Sequence, residues 1–190
     1  IIGNPPYVEY RPERLGYKVH GFRTEKCGNL YAYVAERVYE IAAAGAWHSM
    51  IIPHSAICTD TSLPLQSILV RDGYAGWFST YCIRPAKLFD GVDQRLLIWI
   101  TTTAHNSGGL HSTRYHRWHE KARGHLLATL AYVAAHKVPI PTVPKLGREI
   151  EHQILSRLEP RTPLVKRRCS PPGVPVYYHD APRYWIRATD

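Results

Sequence analysis

The chain has 190 residues, 45% of them hydrophobic, and a formal net charge of +9 at pH 7. That length suits one domain, or one domain and part of another, and that apolar share excludes wholesale disorder. No apolar run approaches the roughly 18 residues of a membrane-spanning helix, no signal-peptide pattern occurs, and four widely spaced cysteines without a C-x-x-C pair argue against a zinc site or a disulfide framework and for reduced cytoplasmic thiols.

The chain opens on Ile1-Ile2-Gly3, which reads as the end of a buried strand, so a fragment or truncated gene product is expected. Residues 8–24 mix Tyr, Arg, Glu, Gly and His without a period and read as a loop. After Thr24-Glu25, Leu30, Tyr33, Val34, Val38, Ile41 and Ala42 fall at steps of three or four, which predicts a helix with one apolar face, stopped near Gly45. Trp47 to Pro53 is a short, largely apolar run closed by Pro and suits a buried parallel strand. Residues 61–70 predict a short helix. Trp77 to Ile83 and Leu96 to Thr103 predict two further strands, rich in aromatic and β-branched residues. The stretch between them is too short for a crossover helix, so they are expected to be antiparallel neighbours.

Residues 105–113 are rich in Gly, Ser and His and read as a loop. Residues 114–136 predict a helix with Leu126, Leu127, Leu130 and Val133 as its buried stripe and Gly124 as its weak point. Glu149 to Leu158 predicts a short helix, and Val174–Tyr178 and Tyr184–Ile186 two short strands. The order strand, helix, strand, helix, strand, strand indicates an α/β sheet with an antiparallel last strand. Three regions follow: a catalytic-domain segment over 1–104, a loop and linking helix over 105–138, and a basic extension over 139–190.

Charge separates the two halves. Residues 1–95 hold 10 Lys/Arg and 9 Asp/Glu, and residues 96–190 hold 14 and 6. A basic second half suggests a polyanion partner, with a plain solvated surface as the alternative.

The tetrapeptide Asn4-Pro5-Pro6-Tyr7, directly after an apolar strand, has a specific chemical use. An exocyclic amine on an aromatic ring is a poor nucleophile because its lone pair is delocalised. Two acceptors on its two N–H groups localise that pair. The Asn4 side-chain oxygen can be one acceptor and the Pro5 carbonyl the other. Two prolines fix the backbone between them and hold both acceptors in advance. Tyr7 offers a flat face for an extruded base. The alternative is a rigid proline turn closed by a packed tyrosine.

These residues resemble the amino-methyltransferase motif. Asn29-Leu30-Tyr31-Ala32-Tyr33 with Glu36-Arg37, Gly45 and Met50-Ile51-Ile52-Pro53 is similar to the helix and strand after that motif in adenine-specific DNA methyltransferases of restriction-modification and phage-defence systems. Leu88-Phe89-Asp90-Gly91-Val92 with Arg95 resembles the loop between their last two strands. Ser112 to Trp118 and Pro144-Lys145-Leu146-Gly147 are similar to the stretch leading into their DNA-recognition region. The resemblance implies the distal half of a Rossmann-like methyltransferase sheet, S-adenosylmethionine as methyl donor, and a flipped adenine in duplex DNA, in a prokaryotic cytoplasm. It implies Asn4 and Pro5 beside the reactive methyl and Phe89 as a second base-stacking ring, unless Phe89 is a plain core residue. The family's glycine-rich cofactor loop and ribose-binding acid precede the tetrapeptide, so the chain alone is expected to bind the cofactor weakly or not at all. The missing half, or a companion restriction or specificity subunit, is the expected partner besides DNA.

Phosphate contact is expected from Arg84 and Lys87, from Arg114, Arg117 and Lys121 interleaved with Tyr115 and Trp118, and from Lys166-Arg167-Arg168 in a Pro-flanked loop. For each, a solvated surface charge is the alternative. His116 and His119, three apart on the predicted helix with His111 and His125 nearby, lack a His-Glu-x-x-His pattern or cysteine partner, so no metal is expected. Ser49, Ser55 and Asp60 lack a nucleophile-elbow motif. Two rival functions stay open: methyl transfer to a protein glutamine or RNA, and a non-catalytic DNA-binding or assembly module.

Overall fold

The structure, a computed structural model, describes residues 1–70, 75–102, 104, 109–135 and 143–157, together with the backbone of two short strands nearer the C-terminus. Its centre is a six-stranded mixed sheet in the order β1-β2-β4-β3-β5-β6. The strands are β1 (Ile2–Gly3), β2 (Trp47–Pro53), β3 (Ala75–Tyr81), β4 (Leu96–Thr102), β5 (Leu110–His116) and β6 (Val133–Ala134). β1 is parallel to β2, and β3 to β5, while β4 runs antiparallel to both β2 and β3, between which it is inserted. The predicted antiparallel neighbours are thus β3 and β4, and the α/β class holds.

Two helices connect the first strands. Helix α2 (Leu30–Ile41) follows a short α1 (Pro12–Leu15), and α3 (Leu63–Leu69) follows β2. α2 buries Tyr31, Ala32, Tyr33, Ala35, Glu36 and Val38. Of the predicted face, Val34 and Ile41 are exposed instead. The helix is rotated because the alanines, invisible as hydrophobic signals, let its backbone approach the sheet. It ends where Ala42 turns extended, ahead of Gly45 at φ 77°. The buried Glu36 carboxylate anchors the preceding 3-10 turn, Arg23–Cys27: it accepts from the Arg23 N–H at 2.9 Å, the Thr24 N–H at 2.9 Å and the Thr24 hydroxyl at 2.7 Å. A buried carboxylate is tolerated when its lone pairs are satisfied in this way.

Side chains alternate between the sheet's faces. Met50, Ile52, Leu97, Trp99 and Phe78 lie on the face under α2 and α3, in one continuous core with Ala32, Ala35, Leu65 and Leu69. Gly76 belongs to that face, where a Cβ would come within 2.6 Å of the Phe78 ring, so only glycine fits without repacking.

Residues 109–135 depart from the expected loop and helix. Leu110 to His116 is strand β5, and residues 118–130 form turns and a 3-10 helix (Glu120–His125) in place of the predicted α-helix. The supposed stripe is split: Leu126 and Val133 are buried, and Leu127 is 65% exposed. β5 carries an irregularity, since Phe78 pairs with Ser112 and Thr80 with Tyr115, which blurs the two-residue alternation of a strand. The sheet therefore runs on past residue 104. Helix α4 (Glu149–Arg157) matches its prediction, and β7 (Val176–Tyr178) pairs antiparallel with β8 (Ile186–Ala188), two residues later than expected for the second strand. No helix among the described residues is long and apolar enough to cross a membrane.

Candidate functional site at the C-terminal edge of the sheet

β1, β2 and β3 point the same way, so the turns that follow them share one edge of the sheet. Open α/β sheets bind ligands at that edge. Asn4-Pro5-Pro6-Tyr7 begins immediately after β1, as the sequence predicts. Pro5 is buried, Asn4 and Pro6 are exposed, and Tyr7 is half-buried. The Tyr7 hydroxyl lies 2.7 Å from the Asn4 side-chain oxygen and 3.0 Å from the Ile51 carbonyl on β2. A phenol has one proton, so these acceptors share it, and the shorter contact is to Asn4. Burial pushes the Tyr7 phenol up to about 12, which keeps that proton in place at any ordinary pH. Tyr7 thereby ties the Asn4 amide oxygen to the β2 backbone and leaves that oxygen a second lone pair.

Phe89 sits half-buried in the β3–β4 loop, beside Leu88, which packs on the buried group Tyr81, Ala86, Trp118 and Leu126. β1 and β3 are separated by β2 and β4, about 14 Å at the usual strand spacing. The tetrapeptide and the Phe89 loop therefore flank the same edge without touching through their strands. Arg84 is exposed in this loop. Lys87 pairs with Asp93 at 2.9 Å, which also holds the Asp93 carboxyl below its usual range.

The remaining predicted phosphate contacts do not share a helix. Arg114 is an exposed residue of β5, Arg117 follows that strand, and Lys121 lies in the 3-10 helix. Arg123 braces the Phe89 loop: it pairs with Glu120 and donates to the carbonyls of Lys87 at 2.8 Å and Leu88 at 3.0 Å. Lys166, Arg167 and Arg168 lie outside the described residues. The histidines are dispersed as well. His111 stacks on Trp77 with ring centroids 5.5 Å apart, and His116 on Tyr81 at 5.7 Å.

Sequence reasoning missed a second group at this edge. His54, the first residue after β2, donates its N–H to the Arg95 carbonyl at 2.8 Å, and its Nδ1 lies 3.6 Å from Cys58 Sγ. Its ring is tilted against Tyr115 at 5.8 Å. Burial, then the positive charges of Lys145 and Arg95, push His54 down to about 3. Only the pairing of β2 with β4 brings His54 and Arg95 together, so no local motif announces them.

Comparison with known proteins agrees with this geometry. Residues 1–74 match the Eco57I restriction-modification methylase family. None of the curated proteins matches the chain. Among solved structures, the fold is similar to a nuclease-deletion mutant of the Type ISP restriction-modification enzyme LlaGI in complex with a DNA substrate mimic, with TM-score 0.51 and 12% identity over 72% of this chain and 17% of that one. It is also similar to the DrdV–DNA complex, with TM-score 0.53 and 13% identity over 70% of this chain and 17% of that one. At such identities the likeness is one of fold, and the chain spans well under a quarter of the length of either protein. Residues 1–74, with the tetrapeptide, α2, β2 and most of the β2–β3 connection, carry the restriction-modification methylase pattern that the sequence resemblance implied.

Proposed function

We propose that this chain supplies the catalytic edge of an S-adenosylmethionine-dependent methyltransferase that acts on the N6 amine of adenine in duplex DNA, within a restriction-modification or defence enzyme of the prokaryotic cytoplasm. The observation that carries the reading is the exposed Asn4 side chain at the end of β1, held through Tyr7 to β2. The Asn4 oxygen accepts one amine N–H and the Pro5 carbonyl the other. Both acceptors stand on a backbone fixed by two prolines, so little reorganisation remains at the moment of reaction. The Tyr7 ring, and Phe89 from across the edge, stack the extruded base. Arg84, Lys87, Arg114, Arg117 and Lys121 meet phosphates, as Lys166, Arg167 and Arg168 do in the extension.

Asn4 and Pro5 are the groups that border the transferring end of the cofactor, whose contribution is an electrophilic methyl on a sulfonium. A partner half or companion subunit holds the rest of it. Neither an amide nor a peptide carbonyl is basic enough to take the amine proton, which passes to solvent once the methyl has moved.

The test is transfer of labelled methyl to duplex DNA by the protein, alone and joined to a cofactor-binding methyltransferase half, with the product identified as N6-methyladenine. Asn4→Ala is expected to reduce the rate by about 10²–10³, the usual loss for one preorganised polar group. Methylation of a protein glutamine or of RNA in place of DNA would overturn the reading.

A further inference from the structure

We propose that Arg123 is a positioning residue: its guanidinium fixes where the β3–β4 loop holds Phe89, and so where that ring meets an extruded base. The second half of this statement rests on the function proposed above, and the first half on geometry alone. Phe89 lies between the end of β3 at Tyr81 and the start of β4 at Leu96, in a stretch without helix or strand. The backbone just before it is gripped at three successive residues. The Ala86 N–H donates to the Trp118 carbonyl at 3.1 Å, and the carbonyls of Lys87 and Leu88 accept from Arg123 at 2.8 Å and 3.0 Å. The gripping residues belong to one segment, whose Trp118 and Leu126 are buried with Tyr81 and Ala86 and pack on Leu88.

The guanidinium is itself aimed. Glu120, in the same 3-10 helix, accepts from its Nε and, at 3.0 Å, from its Nη2. Nη2 therefore serves both Glu120 and the Lys87 carbonyl, while Nη1 serves Leu88. A guanidinium is a planar fork whose N–H directions are fixed relative to one another. With one side of the fork held by Glu120, the other dictates the directions of two consecutive carbonyls. The Leu88 carbonyl belongs to the planar peptide that enters Phe89, so its direction sets where the Phe89 backbone starts. Beyond the ring the loop closes on itself: the Val92 N–H donates to the Phe89 carbonyl at 3.4 Å, and Lys87 pairs with Asp93 at 2.9 Å.

Stability does not account for the fork. The Arg123 and Glu120 side chains are 41% and 67% exposed. Exposed ion pairs add little to folding, and water would satisfy the same surface carbonyls. What Arg123 supplies is direction, in a loop that no strand ladder orients.

The chain has three phenylalanines, so labelling with 4-fluorophenylalanine gives three ¹⁹F signals, with Phe22 and the core residue Phe78 as internal controls. Arg123→Ala and Arg123→Lys are both expected to move the Phe89 signal and leave the other two in place, since lysine keeps the charge but not the fork. Glu120→Gln is expected to move it less. In methyl transfer to duplex DNA by the chain joined to a cofactor-binding half, both Arg123 variants are expected to lower kcat roughly ten- to a hundredfold. The lysine variant is expected to keep its duplex affinity, and neither substitution is expected to add to the loss from Phe89→Ala. A Phe89 signal unmoved in both Arg123 variants overturns the proposal. So do losses that add to that of Phe89→Ala, or a rate restored by lysine while the Phe89 signal stays displaced, which would make Arg123 a phosphate contact. A displaced Phe89 signal in a protein that remains fully active as Phe89→Ala keeps the brace and removes Phe89 from the proposed stacking.

Discussion

The two faces of the sheet are built differently. Under α2 and α3, Met50, Ile52, Phe78, Leu97 and Trp99 are almost wholly buried. On the opposite face, residues 118–130 cover Tyr81, while Trp47 is 56% exposed, Ile100 36% and Ile2 90%. Ile2 pairs with Ser49, and Ile100 with both Ser49 and Trp77, so these apolar side chains form one surface. Trp47 and Trp77 stack across β4 at 5.6 Å, and His111 continues the row from β5. Strands that read as apolar on both sides belong in sheets buried on both sides. The face under the helices accordingly carries the larger core, while the other buries a smaller group around Tyr81 and Trp118 and leaves its Trp47–Ile100 row to contribute through ring stacking.

The largest effect that tests this contrast is expected at Trp99. It is fully buried in the middle of the covered face, and its indole N–H has no partner among the described residues. Trp99→Ala removes a ring from a closed core and is expected to cost about 3–5 kcal/mol by chemical denaturation. Trp99→Phe is expected to cost clearly less, because it keeps most of the apolar volume and deletes the unsatisfied donor. Equal losses for the two would mean that the cavity is not what determines stability here.

Acid is expected to act next most strongly, and through burial. Burial pushes His48, which lies against Tyr39 under α2, and His116 below the usual range, and His54 down to about 3. An unfolded chain takes a proton on each of these rings near pH 6.5, whereas folded His54 stays neutral until about pH 3. Unfolding therefore takes up a proton between those limits. Stability is full above pH 6.5 and falls by up to about 1.4 kcal/mol per pH unit for this one group as pH drops through the window. Denaturation midpoints at pH 7, 5.5 and 4.5 are expected to fall less steeply for His54→Gln. The same steepness would remove His54 as a cause.

What the sequence made legible follows the range of the interactions. α2, β2 and the tetrapeptide announce themselves because helical spacing, an apolar run and a proline pair are local signals. β5 does not, because its partner β3 is distant in sequence and its pairing is irregular between Ser112 and Tyr115. The leucines of 126–130 happen to fall at helical steps and outvoted Gly124. Within α2 the pattern found the helix but not its buried face, since Ala32 and Ala35 matter there for being small. At the site, Asn4 to Tyr7 was readable as a motif. His54 and Arg95 were not, because only the pairing of β2 with β4 brings them together.

The smallest effect is expected on the other face. Trp47→Ala deletes a ring that is already half in water, so little area returns to solvent on unfolding. What it loses is the stack on Trp77, worth about 0.5–1.5 kcal/mol beyond area in stacked aromatic pairs, and less where the ring is exposed. A loss under about 1 kcal/mol is therefore expected, with no change in the near-ultraviolet signal of buried Trp99. Trp77 is more enclosed, held between Trp47 and His111, so Trp77→Ala is expected to cost more than Trp47→Ala and less than Trp99→Ala. That ranking is the sharpest form of the contrast. If Trp47→Ala destabilised the chain as much as Trp99→Ala, the exposed row would be as much a core as the face under the helices, and the two faces would have to be described as one.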